Sequence, residues 1–331
     1  MWRCKDALLP ALKEGVMRAA TKMDLKFIII LMALATLFIC TLSQGNDTTY
    51  SNNKADYWYK RGLDASGKGD YKDALASYDK AIKINPDNAV YWDGKAALLA
   101  SLSIKQKDPD YLNDSVRAYN KAIELYNESL NKNPMDSNLY YYKGLALSNK
   151  AFLLQSKIFN ITQSKENATA CLEEAIRSYN HAVEINPKYL TAWKNIGIDL
   201  YFLGRYNESL KAYDKAIEID PNYGLAWYNR GLTLHELGKY NESLQAYDKA
   251  LRMFPENAAI WYSKGNSLLC QGDYNGAIDC YEKAIRLNQS YAEAWYKKGV
   301  AYQELGYYAV SNASFSRASY LGYAARPMSS L

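Results

Sequence analysis

Histidine is nearly missing from this chain: among 331 residues there are two, His181 and His235. Neither has matched cysteine or carboxylate spacing, so a zinc site or a histidine general base has no material to build on. Cysteine is scarce as well. Of five, Cys4 and Cys40 fall in an N-terminal leader, which leaves Cys171, Cys270 and Cys280. An odd remainder excludes a fully paired disulfide framework within one chain. Glycines stand singly, with no phosphate-cradling loop. The formal charge of +5 is mostly a leader effect, because residues 1–26 hold six cations and three anions and the remainder holds 34 against 32. No clustered basic face is left, which argues against nucleic acid as a partner; pairs such as Lys297-Lys298 read as solvated helix surface. Adjacent carboxylates such as Glu173-Glu174 point to different sides of a helix. No catalytic residue, metal ligand or cofactor is expected, and the chain does not read as an enzyme.

What is present is a period. Tryptophan returns every 34 residues at Trp193, Trp227, Trp261 and Trp295, and the same interval separates Trp58 from Trp92. Proline keeps step at Pro187, Pro221 and Pro255. A fixed period of this length marks a supersecondary unit that buries its apolar face only against its neighbours. Residues 224–257 show the internal logic. Trp227, Leu232, Leu234 and Leu237 fall at helical spacing until Gly238 breaks the run; Leu244, Tyr247, Ala250 and Leu251 form a second stripe that ends at Pro255. Small residues such as Gly231, Ser243 and Ala250 stand where two helices approach closely. The unit is an antiparallel helical hairpin.

The order Trp227, Gly231, Leu234, Tyr240, Ser243, Tyr247, Ala250, Pro255 resembles the tetratricopeptide repeat, and it recurs around Trp193, Trp261 and Trp295. The resemblance implies an all-α fold, a right-handed superhelical solenoid of about seven hairpins at 55–88, 89–136, 137–189, 190–223, 224–257, 258–291 and 292–323, after a leader (1–45) and linker (46–54) and before a short tail (324–331). Departures are Tyr140 in a tryptophan slot, Ala96 in a glycine slot, Gln289 in a proline slot, and serine for alanine at Ser115, Ser209, Ser243 and Ser311. Of the 31 tyrosines, Tyr71, Tyr206, Tyr240, Tyr274 and Tyr308 follow the turn glycine, and Tyr78, Tyr119, Tyr179, Tyr213, Tyr247 and Tyr281 fill the aromatic slot of the second helix. Both sets read as packing residues. The recurring Tyr-Asp-Lys-Ala string reads as scaffold.

Two units are long. The second has two additions of seven residues, one before Tyr111 and one extending its second helix through 125–130. Seven residues is close to two helical turns and keeps the buried face. The third carries 19 extra residues between Leu147 and Ala175, expected as a surface loop linking its two helices. Cys171 lies there and reads as the freer thiol. Cys270 and Cys280 are offset along their hairpin by about 9 Å, too far for a disulfide.

The leader contains an uncharged apolar run, Phe27–Leu42, between a length suited to a signal sequence and one suited to a spanning helix. It is either cleaved before Asn46 or retained as a membrane anchor, and translation starts at Met1 or Met23. Lys22 and Lys26 precede it closely, while the next cation downstream is Lys54, so the positive-inside rule puts the repeats outside the cytoplasm, secreted or on the cell surface. Nine glycosylation sequons agree: Asn46, Asn113, Asn127, Asn160, Asn167, Asn207, Asn241, Asn288 and Asn312, against about two or three expected by chance. Several have serine in the small-residue slot, so packing alone also generates them.

In the family the first helices line a concave groove that receives a protein or peptide segment. The slot after the tryptophan carries Tyr59, Tyr141, Lys194, Tyr228, Tyr262 and Tyr296, with Asn195, Asn229 and Asn266 nearby. Aromatic area and amide groups suit a peptide partner. The family's Lys-and-Asn clamp for a terminal carboxylate is absent, since Ile198 stands four residues after Lys194. Val310 and Phe315 in the last unit are expected to expose apolar surface to a partner or a second copy. The expected function is a non-catalytic interaction scaffold outside the cytoplasm. Alternatives are a membrane-anchored assembly factor facing the cytoplasm and an accessory subunit of an enzyme complex.

Overall fold

The computed structural model describes residues 50–156 and 162–323. Among these residues there are fourteen helices and no strand. They pair as seven antiparallel hairpins: α1 (Tyr50–Lys68) with α2 (Tyr71–Ile84), α3 (Ala89–Gln106) with α4 (Pro109–Lys132), α5 (Ser137–Gln155) with α6 (Thr162–Ile185), α7 (Leu190–Phe202) with α8 (Tyr206–Ile219), α9 (Gly224–Glu236) with α10 (Tyr240–Met253), α11 (Ala258–Gln271) with α12 (Tyr274–Leu287), and α13 (Ala292–Glu304) with α14 (Tyr308–Tyr320). The architecture is an all-α helical solenoid. The chain divides after Pro187 into two compact units, α1–α6 and α7–α14.

Local chemistry fixes each hairpin. Where the first helix must end abruptly, Gly204, Gly238, Gly272 and Gly306 turn the chain at φ of 72–84°, a region nearly closed to side chains other than glycine's hydrogen. Asn257 and Asp136 cap α11 and α5, their side chains accepting backbone N–H bonds at the helix starts. The aromatic slot of the second helix is a tyrosine at the centre of six of the seven hairpins: Tyr78, Tyr119, Tyr179, Tyr213, Tyr247 and Tyr281 are at most 1% exposed. Each ring, Tyr119 apart, lies on the glycine of the facing helix.

The serine departures have a physical reason. Ser115, Ser209, Ser243 and Ser311 are buried, and each donates its hydroxyl to the carbonyl of the facing small residue: Ala96 (2.8 Å), Gly197 (2.7 Å), Gly231 (2.9 Å) and Gly299 (2.8 Å). A buried hydroxyl thus spends itself on a helix carbonyl instead of going unpaired.

Between hairpins a repeated three-part contact takes over. Lys95, Arg230, Lys264 and Lys298 pair with Asp79, Asp214, Asp248 and Glu282 of the preceding second helix at 2.7, 2.8, 2.6 and 2.8 Å. The same cations lie over Trp92, Trp227, Trp261 and Trp295. The aspartate of the Tyr-Asp-Lys-Ala string is therefore an inter-repeat tie, and the tryptophan forms the platform under it. Lys298 is thereby corrected from solvated surface to a partly buried ion pair.

Two expectations about the long units change. In the second unit both seven-residue additions are helical, but the first is divided between the end of α3 and the start of α4, with Lys107 taking the left-handed turn at φ 55°. In the third unit most of the extra residues extend the two helices: α5 runs to Gln155 and α6 begins at Thr162. Ala151, Leu153, Ala168, Cys171 and Leu172 are buried in these extensions, so the apolar spacing continues the helices and pays for their ordering. Cys171 is accordingly a buried thiol, raised in pKa mainly by burial, and the exposed thiol is Cys270.

The leader, including Phe27–Leu42, Met1 and Met23, lies outside the described residues, as do Asn46, Asn160 and the tail. Among the described residues no helix is long and apolar enough to cross a membrane.

Candidate functional site: the inner face of the second unit

Successive first helices, α7 to α9, α9 to α11 and α11 to α13, touch one another. Side by side they present one face, and each packs against its own second helix. On it the residues at helical spacings of seven and eight after the slot behind the tryptophan share a side. This brings Tyr201, His235, Glu236 and Cys270 into line with Asn229, Tyr262, Asn266 and Lys297.

Polar contacts stitch this face across repeats. The Tyr201 hydroxyl donates to Glu236 Oε1 at 3.4 Å. The Tyr228 and Ser263 hydroxyls meet at 3.4 Å. His235 Nδ1 lies 2.8 Å from Ser267 Oγ, which is 3.0 Å from Ser243 Oγ, and Ser243 donates to the Gly231 carbonyl. The chain of groups runs from the open face to a helix backbone.

The titratable groups feel a recess. Burial pushes Lys194 down to about 8, against the pull of Asp199. It pushes His235 down to about 4, helped by the Lys297 charge, so His235 is neutral near pH 7. Glu236 is raised by burial although the Tyr201 bond opposes it. Lys297 is lowered by burial. All four side chains are partly exposed, yet helix walls displace most of the water around them, which disfavours each charged form. Lys297 is therefore not the freely solvated cation that its sequence suggests.

The residues singled out in sequence separate into packing and surface. Tyr59 is 6% exposed against the Tyr78 and Tyr91 rings, and Tyr141 rests on Tyr179; both belong to the first unit. Asn195 and Tyr228 are buried, Tyr228 against Tyr247. Tyr262 is partly exposed between Tyr281 and Tyr291, and Tyr296 lies between Phe315 and Tyr323. Asn266 accepts a hydrogen bond from Tyr281 at 2.9 Å, and Asn229 and Lys194 are partly exposed. Tyr201, His235, Glu236, Cys270 and Lys297 were not selected from sequence; their spacing from the tryptophans carried the signal. Among the described residues no group of three or more His, Cys, Asp or Glu is placed to hold a metal ion. At the end of the solenoid Tyr308 and Val310 are exposed, while Phe315 packs on Gly299 and Tyr296.

Family models described as TPR repeat match residues 199–238 and 265–306, and models described as tetratricopeptide repeat match 55–88, 224–257, 246–279 and 292–321. This is a tetratricopeptide-repeat protein. A curated relative, Photosystem I assembly protein Ycf3 of a Synechococcus strain, is 25% identical over 46% of this chain and 82% of its own length. Protein O-mannosyl-transferase TMTC1 of Homo sapiens is 25% identical over 47% of the chain, a stretch that spans only 20% of that protein. A solved tetratricopeptide repeat protein from Parabacteroides merdae superposes with a TM-score of 0.52 at 20% identity, covering 82% of this chain and 94% of that one; it shares the fold. Proteins built on this repeat are interaction scaffolds, and the fold supports binding of a protein or peptide.

Proposed function

We propose that this tetratricopeptide-repeat protein is a non-catalytic scaffold displayed outside the cytoplasm, which captures an extended or helical segment of a partner protein along the inner face of its second unit. The observation that carries the reading is the line of partly exposed polar and aromatic side chains on four consecutive first helices: Tyr201, Asn229, Glu236, Tyr262, Asn266 and Lys297. These groups offer stacking area, amides and one charge of each sign in a recess that holds little water, where a hydrogen bond to a partner backbone gains strength. The apolar run 27–42 with its upstream lysines supports export.

Replacing Asn229, Tyr262 and Lys297 together with alanine is expected to lower partner capture by about tenfold or more with helix content unchanged. Affinity capture from the native cells followed by cross-link mapping measures this. Full capture by the triple variant moves the site off this face. The mass of the mature N terminus tests location: a start near Asn46 fits a secreted scaffold. The likeness to a protein named for photosystem assembly favours a second reading, an assembly factor with an intact leader and repeats in the cytoplasm.

A further inference from the structure

Six of the seven sequons among the described residues lie inside helices: Asn113 and Asn127 in α4, Asn167 in α6, Asn207 in α8, Asn241 in α10 and Asn312 in α14. In five of them the acceptor serine is engaged, while Asn167 and Thr169 are both exposed on α6. Ser115, Ser209 and Ser243 are buried and bonded to carbonyls of the facing helix, and Ser129 and Ser314 donate to carbonyls of their own helix. These serines are explained by packing.

Asn288 differs from all six in its backbone, which is not helical. It stands in the connector between α12 and α13, with extended backbone at φ −140° and ψ 95°. Its partner Ser290 is exposed, and the Ser290 hydroxyl donates to Asn288 Oδ1 at 2.9 Å, joined by the Ser290 N–H at 3.2 Å. Hydroxyl and acceptor amide are already in contact on an open turn.

A second observation points to the same place. Trp92, Trp227 and Trp261 each donate the indole N–H to the carbonyl of the proline six residues earlier, Pro86, Pro221 and Pro255, at 2.8–2.9 Å. In the last connector Gln289 takes the proline slot, and Trp295 Nε1 is buried without an acceptor. Asn-Pro-Ser is not an acceptor sequence. The connector that keeps its sequon is thus also the one whose proline-slot carbonyl does not accept the indole N–H. Proline is otherwise admissible there, because Asp220, just before Pro221, has nearly the same backbone angles (−137°, 99°) as Asn288.

We infer that Asn288 is an N-glycosylation site of the folded protein, the one such site among its described sequons. The donor is a glycan on a polyprenyl phosphate carrier. Asn288 Nδ2 bonds to the anomeric carbon, the bond from that carbon to the carrier phosphate oxygen breaks, the phosphate leaves with the electron pair, and the nitrogen gives up one proton to solvent. In the cell this rests on the export proposed above; the chemistry of the folded chain does not.

The test incubates the folded, purified protein with an oligosaccharyltransferase and a polyprenyl-linked glycan, then maps occupancy by peptide mass. Occupancy at Asn288 is expected to exceed that at each helical sequon by about tenfold or more, since those segments must first unfold locally. Urea-unfolded chain should lose the preference. Gln289→Pro should abolish occupancy at 288 while raising the melting midpoint by roughly 2–5 °C, through the recovered indole bond and a stiffer connector. Even occupancy across folded-state sequons, or modification of Asn288 only after unfolding, overturns the assignment. Protein from native cells that carries no sugar, beside a folded chain that is modified at Asn288 in vitro, would sink the export reading and leave the folded-state site standing.

Discussion

Gly231→Ala is expected to destabilise the second unit by about 1–3 kcal/mol, although alanine is the better helix former. A Cβ at 231 would sit 2.5 Å from Tyr247 Cε1 and 2.7 Å from Cδ1. The Tyr247 ring is fully buried and tilted against Tyr228, so it has no room to retreat. The helices must separate, which stretches the Ser243 hydroxyl away from the Gly231 carbonyl. Because each hairpin is stabilised by its neighbours, the loss spreads to the adjoining repeats. Gly67 supplies the opposite control. It is also helical, but a Cβ there meets nothing within 4 Å, so Gly67→Ala should gain about 0.5–1 kcal/mol. Urea titrations of the two variants measure both signs. A Gly231→Ala midpoint at or above the parent's would mean that the glycine–tyrosine contact is not what spaces the pair.

Much of the fold was legible because its largest side chains recur at one period. Trp227 and Tyr247 fill fixed volumes, glycine faces the tyrosine ring, and those constraints leave a signature that a single sequence displays. In the long third unit a count of extra residues does not say whether they extend helices or loop out. Ala151, Leu153, Ala168 and Leu172 hold the apolar spacing that does say so. The candidate site was legible in part. The slot after tryptophan reads as open surface in the sequence, yet Tyr59 and Tyr228 lean back onto the tyrosine of their own hairpin. Residues that face outward, such as His235, Glu236 and Cys270, stand seven or eight positions further along the same helical side. Burial is the main cause of their shifted protonation, and burial follows from packing that no motif spells out.

Asp93→Asn is expected to flatten the pH dependence of the first unit and to stabilise it above neutrality. Asp93 occupies the slot after Trp92 where other repeats carry Tyr59, Tyr141, Tyr228, Tyr262 and Tyr296. It is 4% exposed and its Oδ1 has no hydrogen-bond partner. The groups that feel its charge are tyrosines, Tyr78 on α2 and Tyr119 and Tyr126 on α4, and the Tyr119 and Tyr126 hydroxyls are themselves buried without partners. Burial therefore pushes the carboxyl up to about 7 from an ordinary value of 3.8. The direction of the linkage follows. Below 3.8 both folded and unfolded chains hold the proton; between 3.8 and 7 only the folded chain does, so stability falls as pH rises through this window and levels off above it. Asparagine has no charge to bury, and its advantage should grow across the window to on the order of 2–4 kcal/mol by pH 8, vanishing near pH 4. Amide hydrogen exchange in α3 and α4 is the suitable readout, because the chain has two compact units and a global midpoint averages them. Protection that changes with pH equally in parent and variant would show that the Asp93 carboxyl is solvated, and that water reaches it among the tyrosines.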